Sequence, residues 1–502
     1  MLKSFLILKN TDNLMKEVIM GKDRAERYTD YAVFLYIFAF TIYGFVARII
    51  PLYMLVNEPA NSYILVLFAI AGCVLVLLDL IKGRYLFKGQ YCWVLYAFVG
   101  IMIVSSVVNI QYGYIDNLKT IVWTGIQIAV FYSAYTRISR ETMMKYVYTV
   151  FHFISWIWTV AIIYSLKQFV VMEAYGVEIR PDEWKRQGFR NNRLFGIFND
   201  PNYAAVTCVY VIFMLLYIIQ KTKKIWLKCV CVLACAVQGI YILLSGSRTA
   251  KICILIAAFV YVFLLLKNRC LHEKNAKRIV IRVGTAVLTV GILAVVGTIT
   301  EKLVVNIPKI YAEHIVADAG DTVNSQNAEN REEFEQQRAQ KVLALEEQAI
   351  LDRQDVGEGT SNRRLRTWKN YIEGVEGRYI IGASPRNIEQ YMEDKHPEIY
   401  ERNEGYETHN GFLSVFAGTG VLGFGTVLLF MILTGRKIWR YCFSKKAISE
   451  EFITLFSVII VLLIYTCFFT ELFFVSNLTT AIFWLFLGCM MYWIGENKEK
   501  VI

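Results

Sequence analysis

The sequence predicts an all-α polytopic membrane protein, and three observations carry that reading. Hydrophobic residues make up 56% of the 502 and charged residues 19%, with mean hydropathy at +0.42; soluble domains carry about a quarter charged residues. Apolar runs recur at the length of a bilayer-spanning helix, about 20 residues. Basic residues gather in alternate connections between those runs.

Taken in order, the runs fall at 31–50, 63–81, 91–108, 121–135, 146–172, 203–220, 229–244, 250–266 and 279–299. Three more begin near Gly411, Phe452 and Asn477. About twelve spans result. The implied organisation is a cytoplasmic segment at 1–30, spans one to nine within 31–305, and a large extracytoplasmic helical loop at 306–408. The last three spans occupy 409–494 and a cytoplasmic tail 495–502. The first 30 residues are too charged past their start for a cleavable signal peptide. The 11 cysteines lie mainly in apolar runs without CxxC spacing and read as small buried hydrophobes.

Orientation follows from the basic connections. Lys82, Arg84 and Lys88, then Arg137, Arg140 and Lys145, then Lys221 to Lys228, share one side by alternation. Lys267 to Arg278 and Arg436 to Lys446 join them, so this side is cytoplasmic and both termini lie inside. Three connections then face outward: 173–202, the turn "SGSRT" at 245–249, and 306–408. The last holds 21 acidic against 13 basic residues. Its stretch at 327–354, rich in Glu, Gln, Ala and Leu, predicts a solvated helix. Outward arginines oppose the orientation rule, and binding an anion gives them a reason.

In "RLFGIFNDPNYAA", Asn199 or Asp200 ahead of Pro201 suits a helix N-cap, which accounts for the Asn-Asp-Pro-Asn cluster but not for Arg190 or Arg193. Arg193 either binds an anion or reaches for the membrane interface. In "LLSGSRTAKICIL", Arg248 at the boundary needs a partner or an anion; a structural pair with Glu471 competes with a catalytic role for either. "RRLRTWK" crowds Arg363, Arg364, Arg366 and Lys369 into two turns. Helical spacing there puts Leu365, Trp368, Ile372 and Val375 on one face, suited to lying on a membrane surface. His152 reads as a packing histidine, and "GASPRNIEQY" with Arg386 as a loop. In "YETHNGFLSVFAGTGVLGFG", Thr408 or Asn410 caps a helix and His409 stands at its mouth.

Arginines supply fixed, forked donors for phosphate oxygens, and an imidazole can take a proton from a hydroxyl. Together they suit attack by an alcohol on a carbon that carries a diphosphate leaving group. No Walker loop, GxSxG or paired histidines at i, i+4 suggests another chemistry.

These residues resemble the O-antigen ligase and polymerase superfamily of bacterial membrane glycosyltransferases. "RLFGIFNDPN" is similar to its Arg-x-x-Gly…Asn-x-Pro-Asn segment, "LLSGSRTA" to its Ser-Arg turn, and "RRLRTWKNYIEG" with "IIGASPRN" to its Arg-x-x-x-Trp helix and following glycine turn. "THNGFLSVFAGTGVLG" is similar to its His-Asn segment, and Arg-x10-Gly spacing occurs from Arg363 to Gly374 and from Arg366 to Gly377. Ala383 stands where the family often has a second glycine.

The resemblance covers about residues 180 to 490. It implies a family C type glycosyltransferase fold and an undecaprenyl-diphosphate-linked glycan donor, with inverting, metal-independent transfer to a glycan or lipid-linked glycan at the outer face of the bacterial cytoplasmic membrane. Arg193, Arg248 and Arg364 would hold the diphosphate, with Arg190, Arg363, Arg366 and Asn410 also toward substrate. His409 would activate the acceptor hydroxyl; Glu471 stays open as the alternative base. Membrane lipids and a chain-length regulator are the implied partners, and no cofactor, metal or nucleic acid is implied. A polymerase of lipid-linked repeat units is the first reading and a ligase moving a finished glycan the second. A lipid-oligosaccharide flippase is less favoured, because charges crowd the rim rather than the midplane.

Overall fold

The computed structural model describes residues 24–310 and 363–496, apart from 57, 84, 138–139, 181–182, 271–274, 305, 308–309, 404–406 and 445. The expected lead-in up to residue 23, the expected helix over 327–354 and the expected tail from 497 lie outside the described residues. The chain divides into two compact units. The first comprises Met1–Phe45, Pro59–Val150 and Arg363–Ile502; the second comprises Val46–Glu58 and Phe151–Asn362.

Apolar runs in a hydrocarbon solvent must satisfy their own backbone, and only helices or closed barrels do so. The chain uses helices: α1 (Arg24–Val46), α2 (Ile50–Val56), α3 (Ala60–Lys82), α4 (Cys92–Val108), α5 (Ile115–Ile126) and α6 (Arg140–Val170). After strands β1 (Ala174–Arg180), β2 (Glu183–Arg190) and β3 (Arg193–Gly196) come α7 (Pro201–Lys221), α8 (Ile225–Leu244), α9 (Arg248–Arg269) and α10 (Asn275–Val304). Then follow α11 (Arg364–Gly374), α12 (Ile388–Lys395), α13 (Pro397–Asn403), α14 (Gly411–Cys442), α15 (Glu450–Thr466) and α16 (Leu478–Glu496).

Each of the twelve apolar runs carries a helix, and the protein is an all-α polytopic membrane protein. Among the described residues, eight helices are long and apolar enough to span a bilayer: α1, α3, α6, α7, α8, α9, α10 and α14. The other runs form shorter helices, α4, α15, α16, and α5 continued by a π-helical turn over Gln127–Tyr132.

In the second unit, the connection at 173–202 contains a three-stranded antiparallel sheet in the order β1-β2-β3, which the all-helical expectation did not include. Its local reason is period-two alternation: Gly176, Glu178 and Arg180 are exposed, with Val177 and Ile179 turned inward. Arg180 also pairs with Glu58 at 3.0 Å. Asn191 and Asn192, with φ of 53° and 51°, form the tight turn between β2 and β3, a type I′ arrangement that asparagine tolerates. His152 accepts a hydrogen bond on Nδ1 from Trp156 Nε1 at 3.1 Å, in keeping with a packing role.

In the first unit, Tyr36, Phe40, Phe68 and Phe131 interlock, with Phe40 5.3 Å from Phe68 and 5.4 Å from Phe131 between centroids. Inside a membrane such packing stabilises by close contact rather than by expulsion from water. The more consequential feature is a break in α14. Gly420 has φ 64° and ψ −167°, far from helical. The lost helical bonds are replaced by the segment 379–384 laid alongside. Ala383 N–H donates to the Ala417 carbonyl at 2.8 Å and Ser384 N–H to that of Gly418 at 3.2 Å. In return Val421 N–H donates to the Tyr379 carbonyl at 2.7 Å and Leu422 N–H to that of Ile380 at 3.2 Å.

Each such group left unbonded in a membrane interior would cost several kcal/mol, about the scale on which a helix break becomes prohibitive. From α4, Ser105 Oγ donates to the Gly418 carbonyl at 2.8 Å; beside that helix's end, Asn109 Nδ2 donates to the Gly382 carbonyl at 3.0 Å. Ser384 Oγ donates to Asn117 Oδ1 at 2.7 Å. Side chains at two glycines would prevent this docking. A Cβ on Gly420 would collide with the Ile380 carbonyl, and one on Gly382 with the backbone at Gly418 and Thr419. "GASPRN", read from sequence as a loop, is therefore a backbone splint.

The helix face expected for α11 is corrected in part. Leu365 is 63% and Ile372 45% exposed, Trp368 is half-buried, and Val375 is buried. The buried side is Thr367, Asn370, Tyr371 and Gly374. These small and hydrogen-bonding residues pack against α12 and α13. Tyr371 donates to Glu389 at 3.0 Å, and burial pushes its phenol far above the ordinary range, with Glu389 adding to the shift. At the surface, Tyr112 donates to Asp394 at 2.6 Å, which holds the Asp394 carboxyl below its ordinary value.

Candidate active site

In the second unit, the hairpin turn Asn191–Asn192 sets Arg190 directly opposite Arg193 across β2 and β3. Arg190 is exposed and Arg193 is buried. Arg193 Nε donates to the Ser245 carbonyl at 2.9 Å and its Nη2 donates to Asn202 Oδ1 at 3.0 Å. Both acceptors are neutral, and together they fix the guanidinium. Ser245 closes the C-terminus of α8, where the helix dipole favours a cation.

The same turn carries Arg248. Gly246, at φ 64°, reverses the chain, and Ser247 caps α9 by accepting from Ala250 N–H at 3.3 Å. Arg248 is then the first residue of α9 and is exposed. A cation at a helix N-terminus opposes the dipole, and both together attract an anion. Arg193 and Arg248 thus converge on one turn.

Sequence reasoning missed Asn202. In "NDPN" the cap is Asp200, whose Oδ1 accepts from Asn202 and Tyr203 N–H at 2.8 Å each. The final asparagine of the cluster serves Arg193. A second polar residue one step past Pro201 was the available signal.

The first unit gathers the other candidates around the connection between α15 and α16. The Arg364 guanidinium lies 5.3 Å from the Phe469 ring centroid and 5.6 Å from that of Phe468, within cation–π range. The His409 ring meets Phe469 edge-on at 6.2 Å. Arg364 and His409 therefore share contact with one aromatic ring. His409 itself has φ 45°, a left-handed conformation uncommon for a residue with a side chain.

Asn410 caps α14, its Oδ1 accepting from Phe412 and Leu413 N–H at 3.0 and 3.1 Å. Gly411 N–H donates to the Phe469 carbonyl at 3.0 Å, locking the helix start to the same connection. Glu471 is buried, and its Oε2 accepts from Asn477 Nδ2 at 2.6 Å. Arg363 forms the left-handed N-cap of α11 with an exposed side chain, and Arg366 is exposed one turn on.

Of the tandem arginines, Arg364 contacts Phe468 and Phe469. The aromatic pair itself was not recognised in the sequence. Its signal was two phenylalanines preceding Glu471 in "CFFTEL", which hydrophobicity alone files under a membrane span.

Residues 231–428 match the family model described as O-antigen ligase. The matched stretch includes Arg248, Arg363, Arg364, Arg366, His409 and Asn410, while Arg190, Arg193 and Glu471 lie outside it. None of the curated proteins matches the chain.

Proposed function

We propose that this chain, a member of the O-antigen ligase/polymerase superfamily, joins undecaprenyl-diphosphate-linked repeat units into a surface polysaccharide. The family match supports ligase/polymerase-type activity on lipid-linked glycans. The observation that carries the finer reading is that Arg364 and His409 both contact Phe469. In the reaction, the acceptor hydroxyl gives its proton to His409 as its oxygen bonds to the anomeric carbon. The bond from that carbon to the diphosphate oxygen breaks, and the electron pair leaves with undecaprenyl diphosphate. Attack opposite the leaving group inverts the anomeric configuration.

A diphosphate is already a weak base, so the leaving group needs positive charge more than a proton donor. Arg364 supplies it in the first unit; the resemblance to the family's motifs also assigns Arg193 and Arg248 to diphosphate binding. Arg190, Arg363 and Arg366 are secondary substrate contacts, and Glu471 is the alternative base. The reading puts residues 306–408 and the site on the outer face of the bacterial cytoplasmic membrane, with both termini inside and a chain-length regulator as a partner.

Polymerase is preferred because nothing in the sequence suggests a dedicated protein or lipid acceptor domain. The description of the matched family favours, as second reading, a ligase that moves a finished glycan to a lipid, protein or wall acceptor. Deleting the protein and analysing the glycolipids separates them. Single repeat units on the final acceptor are expected for a polymerase, and long chains stranded on undecaprenyl diphosphate for a ligase. Donor held on the cytoplasmic leaflet would sink both.

Asn202 gives a narrower test. A hydrogen bond to a charged group contributes about 1.5–3 kcal/mol, and about 1.4 kcal/mol is tenfold. Asn202→Ala is therefore expected to raise the donor KM by about tenfold or more while the protein stays folded. An unchanged KM would separate Arg193 from donor binding.

A further inference from the structure

His409 sits in a left-handed backbone conformation, uncommon for a residue with a side chain, and a tertiary contact holds the peptide that enters it. The holding group lies on the helix that carries Arg364. Trp368 Nε1 donates to the Thr408 carbonyl at 2.9 Å, which is the oxygen of the peptide that enters His409. Arg364 and Trp368 are four residues apart and share a face of α11. Thr408 is buried and pinned at its other end, with Oγ1 2.5 Å from Ser414 Oγ and 3.0 Å from Thr470 Oγ1.

We infer that Trp368 is a positioning residue that couples Arg364 to His409 through its indole N–H. One turn of α11 thereby places both groups against Phe469: the guanidinium directly, and the imidazole through the peptide at 408–409. Trp368 touches neither substrate nor the transferred proton. Its half-buried ring completes the packing, but the function assigned to it belongs to the N–H. The inference rests on His409 being the base.

The test uses the full chain reconstituted in liposomes with an undecaprenyl-diphosphate-linked glycan. Trp368→Phe keeps an apolar ring and removes the donor; it is expected to lower kcat by about 10- to 100-fold, of the order that a misplacement of catalytic geometry costs, with donor KM within about twofold. Trp368→His restores a ring N–H and is expected to recover a large part of that loss, whereas a packing role would rank Phe above His. Benzothienylalanine at 368, which has the shape of tryptophan without the N–H, is expected to match Trp368→Phe at unchanged melting temperature. Wild-type kcat in the benzothienylalanine protein, alongside an inactive His409→Ala, overturns the inference alone. Wild-type activity in His409→Ala overturns the base assignment and the inference with it. A loss that falls on KM instead of kcat also overturns the inference.

Discussion

His409→Ala is expected to lower glycosyl transfer by about 10²–10⁴-fold, the usual contribution of a positioned general base, without impairing membrane insertion. Two observations separate this from a general structural loss. The cap of α14 belongs to Asn410, whose carboxamide oxygen accepts the first helical N–H groups. The link from the helix start to the Phe469 carbonyl belongs to the Gly411 backbone. Removing the imidazole leaves both intact and also relieves little of the left-handed strain, since alanine retains a Cβ. The measurement is kcat in liposomes together with melting temperature in detergent. A full-rate His409→Ala protein would transfer the base assignment to Glu471, whose own replacement by Gln then becomes the deciding variant.

The second large effect is expected at Gly420→Ala. The backbone at φ 64°, ψ −167° is essentially confined to glycine, and forcing another residue there costs about 1–3 kcal/mol. The added methyl also meets the Ile380 carbonyl, a backbone atom that cannot swing aside. Segment 379–384 must then lift away, exposing the carbonyls of Ala417 and Gly418 and the N–H groups of Val421 and Leu422. A fall in melting temperature and loss of transfer are expected together. Gly425→Ala in the same helix, where nothing lies within 4 Å of the new atom, is the matched control and should be silent. Equal stability of the two variants would mean that the break does not depend on glycine.

These cases also mark where the sequence was legible. The twelve helices could be read because each depends on a local property, an unbroken apolar run in a solvent without hydrogen bonds. The glycines at 418, 420 and 423 were visible too, but nothing local to them marks a helix break. Their actual partner for the first two, the segment from Ile380 to Pro385, lies some 35 residues upstream, and no periodicity links a helix break to the segment that fills it.

The same limit applies to the candidate site. Arg193, Arg248, Arg364 and His409 stood out because charge is costly at a membrane boundary. Asn202 and Phe469 did not, because each has an ordinary local role, first helical turn and membrane span; Trp368 stood out only within the Arg-x-x-x-Trp pattern and on an apolar helix face, not for its indole N–H. Their contribution is a tertiary contact. The sheet at 174–196 was missed for a different reason, since its alternation is short and crowded by charges. On α11 the exposed Leu365 and Ile372 fit the face read from hydrophobicity, whereas the burial of Val375 at its end does not.

The most direct test follows the bond that the chemistry makes. Purified protein in liposomes, given an undecaprenyl-diphosphate-linked glycan of known anomeric configuration, is sampled for free undecaprenyl diphosphate and for the linkage of the product by NMR. One undecaprenyl diphosphate per new glycosidic bond, with the configuration inverted, and neither formed by His409→Ala, is the expected result. Retention of configuration, or movement of the donor across the bilayer with no bond formed, would contradict it.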